Sequence, residues 1–165
     1  MFHMIEIKRL LNIAYNKAAS SVDPSTQNAA LLVDDIYIVK VASINSFPNF
    51  IKETGERWER PLKYKIVEHA ERNVCYEAAR RGIKTAGLTM VCPWASCPDC
   101  ARAIIQCGII KLITHKQSYD RSPERWKSEI DFALDLLREA GIGIFMYDGK
   151  LDVDSIMHGG ELWSP

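Results

Sequence analysis

Apolar residues recur along this chain in two rhythms, helical and alternating, and the order of those rhythms predicts its architecture. Ile5, Leu10, Ile13, Tyr15 and Ala18 fall at roughly helical spacing, so residues 5–20 are expected to form an amphipathic helix. The polar segment SVDPSTQN follows, and Pro24 within it marks a loop. Residues 29–33 and 36–44 are short β-branched runs joined by Asp34-Asp35, the pattern of an antiparallel hairpin. Residues 45–60 contain Pro48, Gly55 and mixed charges, a loop too long to be idle. Helical character returns ahead of Gly82, which is placed to cap a helix after Ala78-Ala79-Arg80-Arg81, although the apolar spacing does not decide where that helix begins. Residues 88–92, 109–114 and 142–147 then read as strands. Helices at 98–107 and 123–140 separate them, closed by Gly108 and Gly141, with Ser122 as N-cap of the second. Alternation of this kind implies right-handed crossovers and a parallel sheet covered by helices, to which the first two strands add an antiparallel edge. The expected fold class is α/β: a three-layer α/β/α domain over residues 1–147, its mixed five-stranded sheet flanked by helices, followed by a C-terminal tail at 148–165.

Composition narrows the function. A chain of 165 residues suits one domain with a real core. No apolar run approaches a membrane span, and the start MFHMIEIKRLL lacks the basic region, unbroken apolar core and cleavage site of a signal peptide, so a cytoplasmic location and no membrane partner are expected. Twenty-one basic residues face 21 acidic ones, whereas a protein that tracks a polynucleotide backbone usually carries a basic excess. That balance favours a small-molecule substrate over a polynucleotide. Five cysteines, an odd count, argue against a disulfide framework and leave free thiols or metal ligands.

The sharpest local signal is Cys97-Pro-Asp-Cys100 at an expected helix start, where the positive helix end favours thiolate. Alone, it reads equally as a metal site, a redox pair or two ordinary thiols. His69-Ala-Glu71 changes the balance, with Glu71 lying 26 positions ahead of Cys97. One imidazole and two sulfurs make the three-ligand set of catalytic zinc, which leaves a fourth position for water. Glu71 is then free to carry protons. The combination H-x-E followed by C-x-x-C is a zinc-deaminase signature.

With these residues, the chain resembles the cytidine and deoxycytidylate deaminase superfamily, and most of all its deoxycytidylate (dCMP) deaminase branch. The likeness runs over residues 5–147 and rests on VEHAERNVCYEAARRG, WASCPDCARAIIQCGI and the weaker SINSFP. It implies a cytidine-deaminase-like fold and a Zn2+ held by His69, Cys97 and Cys100, with Glu71 as the catalytic proton carrier. The implied reaction is hydrolysis of a cytosine nucleotide, dCMP to dUMP with release of ammonia, in a homo-oligomer (dimer or hexamer). It further implies that Asn45 bonds the sugar or base and that the Ala95 and Ser96 backbone meets the exocyclic amine. Tyr119 would lie near the sugar-phosphate, and Ser25 and Thr26 near the phosphate. Two departures stand out: Ala95-Ser96 replaces the usual Ser-Pro, and Gln27-Asn28-Ala29-Ala30 stands where Val-Gly-Ala is common. The segment between Asn45 and His69 lacks the extra ligands of two-zinc relatives, so one zinc per subunit is expected.

Other readings remain open at this point. They are deamination of another base or a polynucleotide, such as tRNA adenosine or guanine, and a non-catalytic zinc-stabilised binding domain. Cys75 and Cys107 read as small core residues, and Cys92 as core or a fourth ligand. Trp94 is a candidate wall for the base. The cluster Arg57-Trp58-Glu59-Arg60 could gate substrate or touch phosphate, or form a solvated loop or subunit contact. His3, His115 and His158 show no partner pattern, and Leu162-Trp163 is a candidate contact with a neighbouring molecule.

Overall fold

The structure, a computed structural model, describes residues 4–165; His3 lies outside the described residues. The strands β1 (Ala29–Val33), β2 (Val39–Ile44), β3 (Thr89–Val91), β4 (Lys111–His115) and β5 (Gly143–Tyr147) form one mixed sheet in the order β2-β1-β3-β4-β5. β1 runs antiparallel to both β2 and β3, whereas β3, β4 and β5 are parallel. The run AALLV of β1 is buried throughout because its alternate side chains enter two different cores. Ala30 and Leu32 pack beneath the helices α3 (Ala70–Arg80), α4 (Pro98–Gln106) and α6 (Glu124–Glu139). Leu31 and Val33 face α1 (Met4–Ala18), whose Ile7, Leu10, Leu11 and Ala14 are fully buried. The result is the three-layer α/β/α arrangement expected from the alternation.

Several boundaries differ from the sequence reading, each for a local reason. β2 begins at Val39 rather than at 36, because the Asp34 carboxylate accepts the Ile36 and Ile38 amides (3.2 and 2.8 Å) and holds a longer turn. Ser122 does not cap α6. Pro123 occupies that position, and Ser122 Oγ instead donates to Ser118 O at 3.1 Å. A short helix α5 (Lys116–Asp120) follows β4 directly, and α2 (Lys63–Ile66) precedes α3. Gly108 does end α4, at φ 68°, and a Cβ there would meet Ala86 Cβ at 3.0 Å. The tail is folded: β6 (Ile156–His158) and β7 (Glu161–Trp163) pair as a hairpin. Trp163 packs within the chain against Tyr15 and His115, while Leu162 is exposed. No described helix is long and apolar enough to cross a membrane.

Candidate active site

The ends of β2 and β3 and the start of β1 lie together at one end of the strands, and there α3 and α4 also begin. His69 is the N-cap of α3 and Cys97 the N-cap of α4, both in extended conformation. Glu71 and Cys100 sit in the first turns that follow. Cys97 therefore stands just ahead of the helix, and Cys100 alone of the pair lies within it. Pro98 at the first helical position loses nothing, since its missing N–H would have no partner there.

This meeting of helix starts brings His69 Nδ1 to 3.5 Å from Cys97 Sγ and 3.6 Å from Cys100 Sγ. The three atoms lie within 4.8 Å of one another and form a group that can hold a metal ion. A tetrahedral zinc with bonds of ~2.3 Å to sulfur and ~2.05 Å to nitrogen has N···S edges of about 3.5–3.6 Å. The residues fit. Cys97 is held low, at about 4, by the hydrogen bond from Cys100 and by His69, while that same bond and burial push Cys100 up. The thiols thus share one proton, which a bound cation would displace. Burial opposes the charge on His69, but the bond with Cys97 and the Glu71 and Cys97 charges outweigh it and raise its pKa. Arg72 balances the sulfur charge from outside: its Nη1 points at Cys100 Sγ (3.6 Å) and its Nε holds Glu68 at 2.6 Å. Cys92 stands apart from the group, its thiol donating to Trp94 O (3.1 Å) and accepting from Asn28 Nδ2 (3.3 Å).

Glu71 is buried and its Oε2 has no hydrogen-bond partner among the described residues; burial raises its pKa above the ordinary carboxylate value. Leaving such an atom unsatisfied costs ~1–3 kcal/mol, which makes sense where a reactant completes the bond. The cleft above it is lined by His69, Glu71 and Cys97, by Trp94, Ala95, Trp126 and Ile130, and by Thr26, Asn28, Asn45, Arg60 and Lys63. Thr26, Asn45 and Ala95 thus face the cleft, whereas Ser25, Ser96 and Tyr119 are not among its lining residues. Ser25 spends its amide on Asp23 (2.8 Å), and Tyr119 donates to Asp131 at 2.7 Å. Ser96 is buried with its Oγ unpartnered. Asn45 is largely committed within the protein: Nδ2 donates to Asp23 Oδ2 (3.0 Å) and Thr26 O (2.7 Å), and Oδ1 accepts from Asn28 N (2.9 Å).

Sequence reasoning missed the pair beneath this cleft. Lys63 Nζ and Asp23 Oδ1 are 2.7 Å apart with both side chains buried, and Asp23 also accepts from the Ser25, Thr26 and Asn45 donors. Forty positions separate the two residues, so no local pattern could announce them. Trp126 and Ile130 were equally silent, being one face of a helix that otherwise reads as core.

A model of the cytidine and deoxycytidylate deaminase zinc-binding region matches residues 4–116, a span that includes His69, Glu71, Cys97 and Cys100. The chain belongs to this deaminase family. It is 32% identical over 137 residues to an uncharacterized deaminase of Aliivibrio fischeri, across 83% of this chain and 90% of the relative. It is 29% identical over 155 residues to the deoxycytidylate deaminase of Mus musculus, across 87% of this chain and 83% of the relative. Its fold matches the dCMP deaminase of cyanophage S-TIM5, solved in complex with dCMP and dUMP, with TM-score 0.70 at 20% identity over 89% of this chain and 99% of the other.

Two stability predictions follow from the buried charges of this deaminase. Asp23→Ala strands a buried ammonium and is expected to lower the unfolding free energy by ~3–5 kcal/mol, read as a reduced urea midpoint. For Glu71 in chelator-treated protein, the raised folded pKa means that stability is lost as pH climbs from the unfolded value, ~4.3, to the raised one. The advantage of Glu71→Gln over the parent in thermal midpoint should therefore grow across that window and then level off.

Proposed function

We propose that the chain is a zinc-dependent dCMP deaminase, converting dCMP and water to dUMP and ammonia. The observation that supports this best is the pairing of a three-donor group at tetrahedral spacing with the unpartnered Glu71 carboxylate beside it. His69, Cys97 and Cys100 would hold one zinc per chain. When bound, zinc lowers the pKa of a coordinated water from ~15.7 to about 7. Glu71 takes the proton of the attacking water, passes it to the ring nitrogen N3, and then serves the departing amino group, which leaves as ammonia. Its burial supports this work, because a carboxyl with a raised pKa both accepts and returns a proton readily.

Trp94 is assigned as the wall for the base, and the Ala95–Ser96 backbone as the partner of the exocyclic amine. Asn45 retains one lone pair on Oδ1 for the sugar, and its main task is to shape the loop that carries Thr26. Phosphate falls to Thr26 and Arg60. Lys63 is neutralised by Asp23, whereas Arg60, set over the Tyr64 ring at 5.7 Å, has no ion pair among the described residues. This free cation at the cleft supports a nucleotide over a free nucleoside. The relationship to the mouse deoxycytidylate deaminase supports the same choice.

The reading is tested by incubating zinc-loaded protein with dCMP, dCTP, deoxycytidine, guanine and a short RNA while following ammonia. dCMP should turn over fastest; turnover of another substrate with dCMP untouched would refute the assignment. Glu71→Gln should keep stoichiometric zinc and lose about 10²–10⁴-fold in kcat, the range for a general acid–base group. Arg60→Ala should raise KM for dCMP by about 10- to 100-fold, the worth of a charge-assisted hydrogen bond, and leave deoxycytidine kinetics unchanged.

A further inference from the structure

Residues 148–165 contribute no metal donor and no lining to the cleft, yet two of its walls hang from them. The first wall is the loop ahead of β1. Gln27 N donates to Met157 O (2.8 Å), Met157 N donates to Gln27 Oε1 (2.9 Å), and Gly160 N donates to Ser25 O (2.7 Å). These bonds fasten the β6–β7 hairpin to the loop that presents Asp23, Thr26 and Asn28 to the cleft.

The second wall is Trp94. Its ring lies against His158, with centroids 4.5 Å apart and planes at 32°. Its Nε1 donates to Ser122 Oγ (2.7 Å), which donates to Ser118 O (3.1 Å), and Ser118 Oγ shares a hydrogen bond with His158 Nε2 (3.0 Å). Trp94, Ser122, Ser118 and His158 thereby close a ring of contacts. His158 is itself buried and backed edge-on by Trp163 (5.1 Å, 66°), which rests on Tyr15 and His115. Burial, helped by the Arg121 charge, pulls His158 down to about 4, so the imidazole is neutral near neutral pH and stacks without an ion to solvate.

We propose that the C-terminal hairpin is the support of the substrate cleft, with His158 acting as a positioning residue that fixes Trp94 for binding of the base. This rests on the reading of the cleft as the substrate site. An indole has two free side-chain torsions. The Ser122 bond holds its edge and the His158 ring holds its face, so neither torsion is free. Glu71 and the sulfur ligands are held from α3 and α4 instead, and loosening Trp94 leaves their chemistry intact. The consequence is a division of labour: the helices set the turnover step, and the hairpin sets substrate affinity. The family match ends at residue 116, so the hairpin lies outside the matched region.

The test uses full-length, zinc-loaded His158→Ala and His158→Phe, with steady-state kinetics on dCMP and the Trp94 indole N–H resonance of the substrate-free protein, assigned by its loss in Trp94→Phe. His158→Ala is expected to raise KM about 3- to 10-fold, the scale of one aromatic contact, with kcat within about twofold and zinc unchanged. The Trp94 resonance should broaden or shift. His158→Phe, which keeps an aromatic plane, should return KM to within about twofold of the parent. Wild-type KM in His158→Ala with an unmoved Trp94 resonance overturns the proposal, as does a loss confined to kcat. Should His158→Ala fail to fold, Ser122→Ala removes the other restraint on the indole and is judged by the same two readouts. If the parent protein does not turn over dCMP, the substrate reading has failed. The indole resonance then decides the positioning role alone: a shift supports it and no shift overturns it.

Discussion

Two helices, α3 and α4, begin side by side at the end of the sheet where the central strand β3 finishes, and the chemistry of the molecule depends on that meeting. A helix start presents unpaired amides and a positive partial charge, which favours thiolates and carboxylates nearby. Here two such starts face the same space. His69 and Cys97 occupy equivalent N-cap positions, and Cys100 and Glu71 occupy the turns that follow. His69 and Cys97 are the last residues before their helices, and Cys100 lies within α4, so the helices fix where all three donors stand. Each helix is locked to the sheet by its own buried residues, Val74 and Ala78 on one, Ala101 and Ile104 on the other. Hydrophobic packing therefore sets the N···S distances of 3.5 and 3.6 Å.

Around that point the protein accepts several local penalties. Glu71 is buried with an oxygen unsatisfied, Ser96 has a buried hydroxyl without a partner, and Lys63 is an ammonium taken out of water. The Lys63 charge is answered by Asp23, whose remaining bonds hold the loop over the cleft. The Glu71 charge interacts with His69 and Arg72, but its Oε2 has no hydrogen-bond partner among the described residues. Strain of this kind gathers where a reactant is meant to complete the bonding.

Much of this was legible in the sequence because the signals are local. The spacing within Cys97-Pro-Asp-Cys100 and His69-Ala-Glu71 is a property of helix starts, and alternating apolar runs reported the sheet and its crossovers. The helix start at Ala70 was not legible, since Leu62, Lys63, Tyr64 and Ile66 continue a mixed pattern into the preceding turn. Distant pairings were hidden for a different reason. Asp23–Lys63, Trp94–His158 and Tyr15–His115 link residues far apart in the chain, and no local spacing ties either partner to the other. The hairpin β6–β7 escaped notice because its strands are only three residues each, too short to show a period. Ser122 illustrates the limit well: a serine before Pro123 has the look of a helix cap, but Trp94 claims its oxygen.

The central claim is a zinc with three protein donors, one nitrogen and two sulfurs, leaving a position open for water. Zinc K-edge X-ray absorption on the purified chain tests it most directly. The account predicts one zinc per chain, two sulfurs at ~2.3 Å and the remaining shell filled by nitrogen and oxygen at ~2.0–2.1 Å. A third sulfur in that shell, as Cys92 would supply, or a folded chain that binds no zinc at all, would contradict it.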